Sequence, residues 1–352
     1  MNRKNICEIC TLIMGQSPDS KSYNKDKNGI PFYQGNADFG EEHPTPTVWC
    51  TAPKKIARKG DILISVRAPI GDMNIANEDC CIGRGLAAIR LNKSDIVDIN
   101  YLYHYLSATV EFLQEQGTGS TFKAINKTTL EGIEIPCPSI EKQKNIAKLI
   151  IEIKTSIQYK KAELFALNEL VKSRFIEMFG DPQNNNKQFP TKKLIDVVTL
   201  QRGHDLPVQN RDSHGSVPVY GSNGVLGFHT IAKCDRGIIT GRSGTIGEVY
   251  VSEEPFWPLN TTLYSNNTHG NNLIYLKYLL MFFNLKRFKS GAGVPTLNRN
   301  EFHGKEIMDV PIELQNEFAD FVKLIDKSKF IVQKQIDDLQ ELLDSKMDEY
   351  FG

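Results

Sequence analysis

The octapeptide SRFIEMFG (residues 173–180) returns as SKMDEYFG (residues 345–352), 172 positions later in a chain of 352 residues. A repeat with a period near half the chain length restricts the fold more than any other feature, because such a chain is built from two copies of one plan. The alignment extends well beyond the octapeptide. Residues 125–180 match 297–352 at the same offset, with one small slip near the prolines, so that Gln143 meets Gln315 and Ala147 meets Ala319. Upstream the offset drifts as loops change length. EICTLIMG (8–15) meets DVVTLQRG (196–203), IPFYQGN (30–36) meets VPVYGSN (217–223), ILISVRAPIG (62–71) meets IITGRSGTIG (238–247), and GTGS from Gly117 meets GAGV from Gly291. Each half is a globular segment followed by a charged segment with a different rhythm.

That rhythm is helical. Ile146, Ile150, Ile153, Ile157, Lys160, Leu164, Leu167, Val171, Arg174 and Met178 step alternately by four and three, and so do Phe318, Val322, Ile325, Lys329, Val332, Ile336, Leu339, Leu343, Lys346 and Tyr350. A seam held over four heptads predicts a coiled coil. Pro136, Pro138 and Pro311 mark the approaches, and Gly180 before Asp181-Pro182 ends the first helix. Residues 141–180 carry eight basic and five acidic side chains, and residues 313–352 carry five and ten. These opposite excesses favour pairing of the two helices within one chain. At about 1.5 Å per residue, forty residues travel roughly 60 Å, and antiparallel pairing carries the second helix back. The expected fold class is therefore mixed α/β (α+β): two similar heads at 1–139 and 191–311, joined by an antiparallel two-helix spacer at 140–180 and 312–352. A polar linker, DPQNNNKQFP, occupies 181–190, and a pseudo-two-fold relates the halves. In this arrangement SKMDEYFG lies beside residues 141–147, under the first head. Within the heads, GDILISV (60–66) and GEVYVS (247–252) read as strands, and residues 99–116 and 273–288 as one helix each.

Composition narrows the function. Lysine plus arginine equals aspartate plus glutamate at 42 each, so any nucleic-acid contact must come from local patches rather than a gross basic field. With 40% apolar and 24% charged residues, and without an apolar run long enough for a span or a leader, the expectation is a globular protein of the cytoplasm. Seven scattered cysteines predict reduced thiols. The pair Cys7 and Cys10 has no second pair at usable spacing, and adjacent Cys80 and Cys81 cannot easily share one metal, so buried strand cysteines are expected instead of a metal site. Walker A, G-x-G-x-x-G, H-E-x-x-H and G-x-S-x-G patterns are missing, as is an Asn-Pro-Pro-Tyr type tetrapeptide of amino-methyltransferases. The expectation is a chain with no catalytic residues, metal or cofactor of its own.

The heads instead repeat polar, glycine-flanked loops. FYQGN offers Tyr33, Gln34 and Asn36, and VYGSN offers Tyr220, Ser222 and Asn223. SVRAPIG presents Arg67, and TGRSGTIG presents Arg242 and Ser243. The glycine loops continue into Lys123, Asn126 and Lys127 in one half, and into Asn298 and Arg299 in the other. Arginine and lysine suit guanine edges and phosphates, asparagine and glutamine suit adenine, and small neighbours let a backbone approach, so these residues are the candidate DNA contacts.

The two FG-ending helices, the repeated G-x-G-x(3–5)-[IL]-N-[KR] loop running into proline and a glutamine-bearing helix start, and AELFALNEL (162–170) resemble the specificity (S, or HsdS) subunit of type I restriction-modification enzymes. The resemblance covers essentially the whole chain. It implies two target recognition domains that each read half of a split DNA sequence, and conserved helices that set the gap and dock two methyltransferase subunits, through which restriction subunits join. It also implies that S-adenosylmethionine, ATP and Mg belong to partner subunits. Divergence of SVRAPIGDMN from TGRSGTIGEV implies an asymmetric target. A coiled-coil scaffold with two peptide-binding heads is the alternative, separable by a sequence-specific duplex shift; a self-contained nuclease or methylase would act without added subunits.

Overall fold

The computed structural model describes residues 2–117, 123–212, 214–291, 293 and 295–352. They gather into two compact units, Met1–Tyr159 with Ile336–Gly352, and Lys160–Gln335. Two helices of forty residues, Ile140–Phe179 and Ile312–Phe351, each begin in one unit and end in the other.

In the first unit an antiparallel four-stranded sheet runs in the order Cys10–Met14, Leu86–Leu91, Ile62–Ser65, Met73–Ile75. Its third strand is buried along its whole length, which is why Ile62, Leu63 and Ile64 follow one another without polar alternation. A second sheet is centred on Ile30–Tyr33, whose Phe32 and Tyr33 pair in parallel with Cys81 and Ile82. The second unit repeats the plan with Thr199–Arg202, Thr262–Asn267, Gly237–Gly241 and Val249–Ser252 in that order. Its parallel pair sets Val219 and Tyr220 against Trp257 and Pro258. A two-stranded ladder closes the base of each head: Arg3–Asn5 with Glu134–Pro136, and Thr191–Lys193 with Glu306–Met308. The repeated glycine has a steric reason. A Cβ on Gly15 would lie 2.1 Å from the Gly83 carbonyl oxygen, and one on Gly203 would lie 2.2 Å from that of Leu259.

Both sequence-predicted strands exist, as Ile62–Ser65 and Val249–Ser252, although they are not counterparts of each other in the repeat. The predicted single head helices are each interrupted. Ile99–Ala108 stops at Thr109, whose N–H is shared between the Leu106 and Tyr105 carbonyls and whose hydroxyl donates to Leu106 at 2.9 Å, before Val110–Glu115 continues. Leu273–Phe283 ends at Asn284 in the left-handed region (φ 59°), and a 3-10 turn, Leu285–Phe288, follows.

The seam positions of the long helices are covered. Ile146, Ile150, Ile153, Ile157, Val171, Val322, Val332, Ile336 and Leu343 are buried, while Leu164, Leu167, Ile325 and Leu339 are half-buried. The terminal Phe-Gly pairs anchor them. In the second unit Phe179 is fully buried against Tyr275 (ring centroids 5.2 Å) and Phe318 (5.5 Å), and Arg174 meets Glu317 at 2.9 Å. In the first, Phe351 packs on Tyr101 at 5.4 Å, and Tyr101 holds the position in its helix that Tyr275 holds in the other head. Gly180, at φ 76°, donates to the Ile176 carbonyl and stops the first long helix, as the Gly-Asp-Pro sequence predicts.

Of the thiols predicted to be buried strand residues, Cys10, Cys80 and Cys81 are so, while Cys7 is exposed; Cys50 is a further buried strand thiol. Burial pushes the Cys10 and Cys80 thiols up to about 12, which leaves them protonated and unreactive.

Candidate nucleic-acid interface

The polar loops singled out in the sequence converge within each head. In the first, the parallel pair delivers the loop after Tyr33 beside the turn Gly83-Arg84-Gly85: Gly83 N–H donates to the Tyr33 carbonyl (2.8 Å) and Gly85 N–H to that of Gln34 (3.1 Å). The arginine loop joins them, with Val66 N–H donating to Gly85 (2.9 Å), Ile125 N–H to Val66 (2.9 Å) and Ala68 N–H to Lys123 (3.1 Å). Gln34, Asn36, Arg67 and Arg84 thereby line one open cleft of about 290 Å³.

The second head repeats these bonds with other letters, save that from Gly85 to Gln34. Leu259 N–H donates to the Tyr220 carbonyl (2.9 Å), Arg242 N–H to Thr261 (2.8 Å) and Leu297 N–H to Arg242 (2.7 Å). The bridge between Arg67 and Ala124 reappears between Ser243 and Thr296. Backbone equivalence therefore pairs Arg67 with Ser243 and Val66 with Arg242, so the two arginines stand one position apart in the repeat. Ser222 packs beside the arginine loop, where its Oγ would lie 3.3 Å from a Cβ on Gly244.

The individual candidates differ in availability. Gln34, Arg67, Lys123 and Asn223 are exposed, and the Arg67 guanidinium has no hydrogen-bond or ion-pair partner among the described residues. Asn36 is half-buried, and its amide donates to the Asp72 carboxylate at 2.7 Å. Arg242 is half-buried and directs one nitrogen at the Asn260 carbonyl at 3.4 Å. Tyr220 and Ser222 are half-buried, the former edge-on to Phe256 at 5.7 Å.

One candidate is corrected, and four others make local bonds of their own. Tyr33 is fully buried in the core, so its side chain cannot meet a surface ligand. Asn126 caps the helix Lys127–Glu131 by accepting from Thr129 N–H at 2.9 Å, and Lys127 is paired with Glu131 at 2.8 Å. Asn298 accepts from Asn300 N–H in the matching turn, and Arg299 reaches back to the Leu200 carbonyl at 3.3 Å. The repeated Asn-Lys and Asn-Arg pairs thus start a short helix in each head. Residues 118–122, which include most of the GTGS loop, and Ala292 and Val294 of GAGV lie outside the described residues.

Two residues escaped the sequence reading. Arg84 projects from the turn between Gly83 and Gly85 and is exposed; its N–H donates to the Ser17 hydroxyl at 3.5 Å, while its guanidinium has no hydrogen-bond or ion-pair partner among the described residues. Its counterpart in the second head is Asn260, whose amide donates to Asp205. The signal was the Gly-Arg-Gly triplet, hidden because its counterpart Leu-Asn-Thr contains no glycine.

Comparison with known proteins bears on both heads. A family model, the type I restriction modification DNA specificity domain, matches residues 1–169 and again 186–341. A Methanocaldococcus jannaschii chain assigned as the MjaX type I restriction enzyme specificity subunit is 49% identical over 152 residues, which cover 43% of this chain and 36% of that relative. This chain therefore aligns with about a third of that relative's length. The MjaIX type I restriction enzyme specificity subunit of the same organism is 24% identical over 97% of this chain and 90% of its own. Among solved structures, the S subunit of a type I restriction-modification system from M. genitalium superimposes with a TM-score of 0.65 at 17% identity, covering 100% of this chain and 96% of that one, so the two share a fold.

Proposed function

The chain belongs to the type I restriction modification DNA specificity family, and from that premise we propose that it is the non-catalytic subunit that selects a bipartite, asymmetric DNA target for a methyltransferase complex. Each head reads one half-site through its convergent loops. The observation that carries this reading is that the two heads hold those loops with largely matching backbone hydrogen bonds while changing the side chains they display. One scaffold with two alphabets suits a target whose halves need equal presentation but different letters. Bidentate arginine or amide contacts to base edges are worth roughly 1–3 kcal/mol each, and phosphate contacts supply a salt-dependent remainder.

The long helices pair antiparallel as a coiled-coil spacer and fix the separation of the half-sites at about one helical turn, since a reader on one face of the duplex meets the major groove once per turn. Their outward residues include Tyr159, Phe165 and Phe330, which are 73%, 67% and 73% exposed. Large exposed apolar side chains of this kind suit docking of two methyltransferase subunits, with restriction subunits joining through them. S-adenosylmethionine, ATP and Mg belong to those partners.

Selection of bound duplexes from a randomised pool, using the purified chain with its methyltransferase subunits, tests the reading. A split consensus is expected, and Arg67→Ala should relax letters in one half only. Binding without sequence preference, or to single-stranded DNA alone, would contradict it.

A further inference from the structure

We propose that Arg84 is a specificity-determining residue of the first head and reads a guanine in its half-site, an inference that rests on the functional reading above. The turn that carries Arg84 is unusually constrained. A Cβ on Gly85 would lie 2.4 Å from the Gln34 carbonyl oxygen, and one on Gly83 would lie 3.0 Å from the Gln34 Cα and 3.2 Å from the Phe32 ring. Only glycine lets the backbone press this closely against the 34–35 loop. Four backbone hydrogen bonds lock the turn in place, from Gly83 to Tyr33, from Gly85 to Gln34, from Val66 to Gly85 and from Leu86 to Gly83, at 2.8–3.1 Å. The position of the Arg84 Cα is thereby fixed by the core of the head, and the loss of freedom on binding is confined to the side chain.

The guanidinium itself is uncommitted. It lines the same cleft as Arg67 and Gln34, is exposed, and has no hydrogen-bond or ion-pair partner among the described residues. Asn36 in the same cleft is by contrast held by Asp72. A planar fork of donors beside two residues without side chains can approach a base edge in plane, and the edge that offers two acceptors to such a fork is the O6/N7 edge of guanine. The second head supports the assignment by difference. Its turn keeps three of the four bonds, from Leu259 to Tyr220, from Arg242 to Thr261 and from Thr262 to Leu259, yet carries Asn260. Asparagine presents one donor arm and one acceptor arm, a pair that matches the N6/N7 edge of adenine rather than the two acceptors of guanine. This is therefore the place where the same backbone presents opposite base chemistry.

The test begins with mapping of methylated adenines in a host that carries the chain and its methyltransferase, for wild type and Arg84→Ala. One guanine in one half-site should relax to other bases while the other half-site keeps its letters, which also reports that the variant folds and assembles. In binding assays with the purified complex, 7-deazaguanine at that position should weaken wild type by about tenfold and leave Arg84→Ala indifferent. If Arg84→Ala fails to assemble, Arg84→Lys, which keeps the charge and loses the fork, is read by the same two criteria. Unchanged letters with uniformly weaker binding would make Arg84 a phosphate contact and overturn the proposal, as would a variant that still senses the missing N7. A wild-type map without a split motif would instead sink the functional reading beneath it.

Discussion

Tyr101 and Tyr275 hold matching places in the two heads but not matching energetics. Both rings are buried against a phenylalanine that ends a long helix. The Tyr101 hydroxyl donates to the Pro136 carbonyl at 3.0 Å, whereas the Tyr275 hydroxyl has no hydrogen-bond partner among the described residues and burial pushes its pKa up, so it stays neutral. Tyr101→Phe should therefore cost about 1 kcal/mol, while Tyr275→Phe should be neutral or slightly stabilising, because it removes a buried donor that nothing satisfies. Thermal melts of the two variants check this; equal losses would contradict it. Site residues were legible in the sequence to the extent that side-chain chemistry and glycine neighbours decide them. Gln34 and Arg67 line one cleft of the first head, and Ser222 lies beside the Arg242 loop of the second. What the pattern could not separate is a polar residue facing solvent from one facing its own backbone: Asn126 and Arg299 have suitable chemistry for DNA but satisfy a helix start and a strand carbonyl.

At the scale of elements, the joint between head and long helix is a single glutamine. Gln143 is fully buried; its amide donates to the Ile96 and Pro138 carbonyls at 2.9 Å, and its carbonyl accepts from Asp98 N–H, just ahead of Ile99–Ala108. Gln315 repeats this with Asn272 N–H, the Asn271 side chain and the Val310 carbonyl. Gln143→Leu would leave several buried polar groups unpaired at a cost of about 3 kcal/mol. Amides of Ile99–Ala108 should then exchange with solvent more than a hundredfold faster, and unchanged protection would refute the joint.

His104 lies in that same helix, buried 3.5 Å from the Lys154 Nζ. Burial, reinforced by the lysine charge, lowers its pKa from 6.5 to about 4. The unfolded chain then takes up the proton first as pH falls through 6.5, so stability drains between that point and about 4, by on the order of 3 kcal/mol. His104→Tyr, the residue at the matching position 278, should flatten the loss in urea titrations at pH 7 and 5. The long helices were legible because a period held over four heptads outweighs local propensity. The breaks at Thr109 and Asn284 were not, since both depend on carbonyls that a linear pattern does not place.

For the whole molecule, the repeat made the plan of two heads and two long helices readable before any coordinate, because matched glycines and buried aromatics cannot be exchanged freely in either copy. The letters of the target were not readable. They depend on which side chain the shared backbone presents, and a one-residue offset moves an arginine from position 67 in one copy to the place of Val66 in the other. The central claim is that two heads of one fold read two different half-sites at a fixed separation. Long-read mapping of methylated adenines in a host carrying this chain and its methyltransferase tests it most directly. The account predicts one motif split into two unlike halves with a single spacing throughout the genome; a contiguous motif, identical halves, or variable spacing would contradict it.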